Sequence, residues 1–338
     1  MILQKNDDFN ITIDSNFELI CAVHGAYKNI YSVTEENQEI TDWVETPNIK
    51  WVNELIRLID LKNNKQLCNY IEKAWNSCDK IPNLLPAFDE NFNVIENEQT
   101  EKIKKFFSYG NIYEFSKLMQ DLMKKINWNE YFQVNIIPFY KNFLIQELNS
   151  VTKINLNNMI KFYGYKFKSY NNNISILMNG GFGPSYDGNL YCFRGYQYDE
   201  KNNKFLNDKV FAVECLFHEF SHSYVNPLVD KYFDKFKNKD LLFKEAIENN
   251  LHPTYGSGAK TLLYEYFVRV NAHILSSDFI NLELSQYAIN NGFMYLPELV
   301  EFVNEHINNY DNYEDLFVNE LIDFMDSLVE SKEIKKKH

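Results

Sequence analysis

Two histidines four positions apart, in His218-Glu219-Phe220-Ser221-His222, constrain this chain more than any other feature. On an α-helix, residues i and i+4 lie on one face about one turn apart. Two imidazole nitrogens so placed can reach a single zinc ion at about 2.0–2.1 Å each. Glu219 then projects beside the ion rather than onto it, where its carboxylate can take a proton from a water. The segment must therefore be a helix that is largely buried and open at one side. Its neighbours agree: Val210, Phe211, Val213, Leu216, Phe217 and Phe220 are apolar, Asn207 or Asp208 can cap the start, and Asn226-Pro227 predicts the end. The alternative is a helix with two structurally placed histidines. With only seven histidines in the chain, two at ligand spacing on a cappable helix favour the metal.

A catalytic zinc needs a third protein ligand and an open position. Position 228 is Leu, so no histidine follows at the short metzincin spacing, and a more distant carboxylate is expected. The candidates are Asp230, Glu245, Glu248 and Glu265. Glu265 lies in the apolar helical run Thr261-Leu262-Leu263-Tyr264-Glu265-Tyr266-Phe267-Val268-Arg269. A carboxylate buried there is costly unless it has a partner, and a metal is one. Arg269, four residues on, is another. Glu245 and Glu248 sit in a more polar stretch and are expected at the surface. Glu214, one turn before His218, is expected beside the site or at the core edge, and Cys215 is expected to be a buried structural thiol.

Tyr255 can donate a hydrogen bond to a developing oxyanion, or simply pack in its loop. Arg269 can orient Glu265 or Glu219, or bind a substrate carboxylate. His252 and His273 are weaker candidates. Asn179-Gly180-Gly181 offers either a close approach for a substrate backbone or a tight turn.

Bulk properties narrow the partners. A formal net charge of −13 is a poor basis for binding nucleic acid or an anionic membrane surface. The five cysteines are odd in number and lack Cys-x-x-Cys spacing, which argues against a disulfide framework or a thiolate zinc knuckle. No apolar run is long enough to span a bilayer. No leader is visible, so the cytoplasm is the default location, with secretion open if a leader had been removed.

The periodicity predicts helices near 17–31, 51–61, 65–75 and 101–148, with Pro82 and Pro86 breaking the chain between them. Phe9, Ile11 and Ile13 alternate. After residue 150, 161–170, 173–178 and 189–197 read as strands, the last two joined by the Gly-rich loop as a hairpin or small sheet. After 207 the chain reads as helical. Ile176 to Gly180 is the expected exposed edge beside the metal, able to hold an extended peptide.

The stretch His218 to Pro227, then Tyr255-Gly256, then Glu265 with Val268-Arg269, resembles the DUF4932 family, a bacterial family of metallopeptidase type whose substrate is unknown. Phe17-Glu18-Leu19-Ile20 and the aromatic helices at 106–143 are similar to that family's N-terminal region. The resemblance implies a gluzincin-like site, with His218, His222 and Glu265 on zinc and Glu219 as base. The expected fold is α+β and mainly helical: a helical N-terminal lobe over 1–150, then a zincin-like catalytic lobe over 151–338 that carries a small β-sheet, or one continuous domain. The expected function is a hydrolase with one zinc per chain and a peptide or protein substrate. A zinc hydrolase of a non-peptide amide or ester, and a non-catalytic metal-containing binding protein, remain as alternatives.

Overall fold

The computed structural model describes residues 2–6, 9–30, 44–77, 81–106, 111–141, 154, 156–196, 198–199, 201–202, 204–205 and 209–337. Over these the fold is mainly helical with a small mixed sheet. The chain divides into two compact units, Met1–Asn149 with Lys168–Asn207, and Ser150–Phe167 with Asp208–His338.

The first unit holds the sheet. Strands β1 (Ile2–Asn6) and β2 (Phe9–Thr12) pair antiparallel, and β2 lies parallel to β3 (Ser169–Ser175). β3 is in turn parallel to β6 (Asn189–Gly195), against which the short β4 (Gly181–Phe182) and β5 (Ser185–Tyr186) run antiparallel. The alternation seen in the sequence is real, with Phe9 and Ile11 buried. Helix α1 (Ser15–Ile30) is buried from Asn16 to Tyr27, so its polar groups must be neutral or paired. Burial pushes the Glu18 carboxyl up to about 8 and the His24 imidazole down to about 4. The Tyr140 hydroxyl donates to Glu18 Oε1 at 2.8 Å. After α1 come α2 (Lys50–Ile59), which packs on it, then α3 (Lys65–Ser77), α4 (Glu98–Phe106), α5 (Ile112–Lys125) and α6 (Trp128–Tyr131), the last continuing into a π-helical turn, Phe132–Ile136. Residues 107–110 and 142–148 of the stretch expected to be helical over 101–148, and Cys78, lie outside the described residues.

Three expectations are corrected here. The strands β3 and β6 do not form a hairpin but lie parallel, and β2 reaches them from the N-terminus. That pairing ties residues 168–207 to the first unit, so the sheet expected in the second lobe is not there. Ile176 to Gly180 is not an exposed edge: β3 is paired on both sides and ends at Ser175. Its hydroxyl accepts the Leu177 N–H at 3.0 Å and the Tyr140 hydroxyl accepts the Ile176 N–H at 2.8 Å, which turns the chain into the core, where Ile176, Leu177 and Met178 are buried. Met178 bridges Val44. Gly180 has φ +78° and its carbonyl accepts the Gly195 N–H at 2.8 Å, the work of a tight turn. Gly195 is itself required by close approach, since a Cβ there would lie 1.8 Å from the Met178 carbonyl oxygen.

The second unit is helical. Residues 161–163, read as strand from their aromatic run, close helix α7 (Leu156–Tyr163), which stops at Gly164 with φ +69°. There follow α8 (Lys209–Tyr232), α9 (Lys239–Glu248), α10 (Ala259–Ser277), α11 (Gln286–Asn290), α12 (Leu296–His306), α13 (Tyr313–Leu316) and α14 (Ile322–Lys337). Helices α8 and α10 make the most extensive helix–helix contact among the described residues. Val213, Leu216, Phe217 and Phe220 of α8, and Leu262, Leu263, Tyr266 and Phe267 of α10, are all buried. Each such side chain contributes about 1.5–3 kcal/mol through burial. The helix start expected at Asn207 or Asp208 lies outside the described residues. Its end differs: α8 runs through Pro227 to Tyr232. Proline removes one i to i−4 bond but the flanking packing, with Tyr224, Val225 and Val229 buried, outweighs that loss. No helix of the described residues is long and apolar enough to cross a membrane.

Candidate metal centre

Helix α8 presents His218 and His222 on one face, with ring centroids 4.9 Å apart and planes nearly perpendicular. A different face of the same helix is anchored. Ser221 is fully buried and accepts a hydrogen bond from the Tyr163 hydroxyl at 2.8 Å, and Tyr163 stacks on Tyr224 with centroids 4.1 Å apart. That anchoring sets the rotation of α8, and so the direction of the histidines.

Helix α10 brings Glu265 to meet them. His218 Nε2 lies 3.6 Å from Glu265 Oε2, and His222 Nε2 lies 3.6 Å from Glu265 Oε1. Both separations are longer than a normal hydrogen bond. They are close to the roughly 3.3–3.5 Å expected between two ligands that each stand about 2.0–2.1 Å from a tetrahedral zinc. Each imidazole thus faces its own carboxylate oxygen. His218, His222 and Glu265 offer donor atoms within 4.8 Å of one another, and among the described residues no fourth His, Cys, Asp or Glu joins them. The side chains keep 18%, 19% and 12% of their surface exposed, so the cluster opens to solvent on one side. Donor chemistry, spacing and the open side all fit a three-ligand zinc site.

Surrounding groups hold this arrangement. With its proton on Nδ1, His222 donates to Asn226 Oδ1 at 3.3 Å, leaving Nε2 to face the cluster. Arg269 Nη2 donates to Glu265 Oε2 at 3.1 Å and to the Tyr255 hydroxyl oxygen at 2.9 Å. One guanidinium therefore ties a candidate ligand to the phenol. Burial raises the Tyr255 hydroxyl above its ordinary range, and the Arg269 charge opposes that rise; Glu265 and Glu219 are close enough to act on it too. The phenol stays protonated, and because Arg269 binds its oxygen, its hydrogen is left to donate elsewhere. Glu219 is buried beside the histidines.

The DUF4932 family, a domain of unknown function, matches residues 103–324, more than half of the chain. The chain belongs to the DUF4932 family. No curated protein and no solved structure gives a match. The DUF4932 match contains the whole cluster, from His218 to Arg269, whereas Phe17 to Ile20 lie before it.

Within the DUF4932 region the other carboxylates are occupied elsewhere. Asp230 accepts from Lys260 Nζ at 3.0 Å and from the Tyr264 hydroxyl at 2.5 Å. Glu248 is paired with Lys244 at 3.9 Å. Glu245, expected at the surface, is instead buried, because the Tyr295 hydroxyl donates to it at 2.6 Å. Glu214 is half-buried on α8 outside the cluster, and Cys215 is partly exposed rather than buried. His273 is half-buried further along α10, where burial holds its imidazole below the usual range. His252 stands with its ring 6.2 Å from that of Tyr255. Asn179 and Gly180 belong to the first unit. Two residues escaped the sequence reading: Asn226, whose signal was its i+4 spacing from His222, and Phe293, whose ring lies 5.6 Å from Tyr255 and 4.6 Å from the Arg269 guanidinium. The only cue to Phe293 was the turn dipeptide Asn291-Gly292 before it.

Proposed function

We propose that this DUF4932 protein is a zinc-dependent hydrolase that cleaves peptide bonds. One observation carries the reading: each histidine Nε2 faces a separate oxygen of Glu265 at 3.6 Å, on a partly exposed face with Glu219 buried alongside. His218, His222 and Glu265 would hold one zinc ion per chain. The ion, when bound, would supply Lewis acidity toward a carbonyl oxygen and make a water more acidic. Glu219 would take the proton of the attacking water and return it to the leaving amine. Tyr255 would donate its free phenolic hydrogen to the carbonyl oxygen as negative charge develops there. Arg269 would hold both Glu265 and Tyr255 in position.

A non-catalytic metal site is weakly supported by comparison, since structural zinc favours four protein ligands and needs no adjacent base. A hydrolase of a small non-peptide amide or ester would use the same residues, and it gains from one finding: Ile176 to Gly180 offers no free strand edge for an extended peptide.

The first test is metal content. Elemental analysis of metal-replete protein should return about one zinc per chain, and a strong chelator should remove both the metal and hydrolysis of a mixed peptide library. A tight zinc that survives His218→Ala with His222→Ala would place the site elsewhere. A second expected result concerns Tyr255. In Tyr255→Phe, kcat should fall by about 10²-fold while KM changes little, because an oxyanion donor acts mainly in the transition state. Steady-state kinetics on the best peptide decides this, and unchanged turnover would return Tyr255 to a packing role.

A further inference from the structure

Arg269 has a second front that the proposed chemistry does not use. Its Nη2 makes both hydrogen bonds of the guanidinium, to Glu265 and Tyr255, while among the described residues Nε is buried with no hydrogen-bond partner and Nη1 makes none. The side chain retains 23% of its surface, so the cation is neither sealed nor saturated. It lies against two aromatic rings set edge to face, with Cζ 4.6 Å from the centre of Phe293 and 5.3 Å from that of Tyr255.

Beside it is a cavity of about 240 Å³ whose walls include His252, Tyr255, Arg269, Ser285, Asn291 and Phe293. The wall that carries Phe293 is built to stay in place. The Tyr266 hydroxyl donates to the Gly292 carbonyl at 2.9 Å, and the Tyr266 and Phe293 rings pack edge to face at 5.0 Å. Ser285 caps α11 by accepting the Ala288 N–H at 3.2 Å. Among the described residues no carboxylate lines the cavity, and the one permanent charge they place on its wall is the Arg269 cation. A planar guanidinium with N–H groups still unpaired, on the wall of a small space lined by aromatic and neutral polar side chains, is suited to a carboxylate.

We infer that this cavity is a substrate pocket for a carboxylate, either the C-terminal carboxylate of a peptide or an acidic side chain, received by Arg269 beside Tyr255 and Phe293. The word substrate rests on the hydrolase reading; the carboxylate site itself does not. Through Arg269 the pocket adjoins Glu265 and Tyr255, so a group bound there brings the adjacent amide toward the candidate metal centre.

Binding is measured by calorimetry on zinc-free protein, so that carboxylate on metal contributes nothing. The probes are N-acetylphenylalanine, N-acetylglutamate amidated at its α-carboxyl, and the neutral N-acetylphenylalaninamide. At least one of the two acids should bind about tenfold or more tightly than the neutral amide, as a charge-assisted contact requires. Preference for the first acid identifies a terminal carboxylate, and preference for the second a side chain. Ser285→Asp keeps a good helix cap but adds a negative charge to the wall, and it should abolish the preference; Arg269→Gln should do the same. Equal binding of acids and amide, or a preference that survives both variants, would overturn the inference. Peptide hydrolysis indifferent to carboxylates would leave the hydrolase reading standing without this pocket. Acid-selective binding in a protein that hydrolyses nothing would do the reverse.

Discussion

Glu219→Gln is expected to retain about one zinc per chain and to lose about 10²–10⁴ in kcat, the usual contribution of a positioned general base. The substitution preserves the size of a buried side chain, so folding should survive. It removes a carboxylate next to His218 on α8 that does not belong to the cluster. Because the proton is taken in the transition state, kcat and kcat/KM should fall together. Elemental analysis and steady-state kinetics on the same sample separate the two halves of the claim. If zinc is lost along with activity, Glu219 is a ligand or a folding determinant; if activity persists, the base is another group.

Glu265→Ala should act on the other quantity. Tight zinc sites are worth about 10–16 kcal/mol over four ligands, so loss of one ligand costs on the order of 3 kcal/mol, about 100-fold in affinity. The variant also takes from Arg269 its partner at 3.1 Å, leaving the guanidinium bonded to the Tyr255 hydroxyl alone. Competition with a chromophoric chelator reads the affinity directly. Glu248→Ala, at an exposed ion pair with Lys244, should leave zinc affinity unchanged. The reverse pattern, with zinc weakened in Glu248→Ala and intact in Glu265→Ala, would remove Glu265 from the ligand set.

The sequence was most informative where the chemistry is local. The spacing of His218 and His222 needs only a helix, and helix α8 supplies it. The third donor is another matter, since four carboxylates satisfied the same chemical requirement. Glu265 is singled out by the packing of α8 on α10, a tertiary fact, although its apolar surroundings were a fair guide because an acid is rarely placed there without a partner. The same logic failed at Glu245. Its neighbours in sequence are polar, but its partner Tyr295 is fifty positions away, and burial follows the partner rather than the neighbourhood. Strand order was likewise hidden. A Gly-rich loop between two apolar runs looks like a hairpin, yet the loop holds β4 and β5, and β3 finds its second neighbour in β2. At 161–163 the aromatic run matched a strand, while Gly164 carried the helix stop signal.

The parallel pairing of β2 with β3 has a consequence for how the chain is made. Asn10 and Asn171 are 161 positions apart and joined side chain to side chain at 3.0 Å. During synthesis the amino-terminal strands must wait for most of half the polypeptide before that neighbour exists, and closing so long a loop is an entropic cost borne before any contact repays it. Until then β2 presents an unsatisfied strand edge, the kind of surface that seeds association between nascent chains. A fragment cut near residue 150 would keep that edge for good. It should therefore be recovered as aggregate, or bound to a chaperone, where the full chain is recovered soluble.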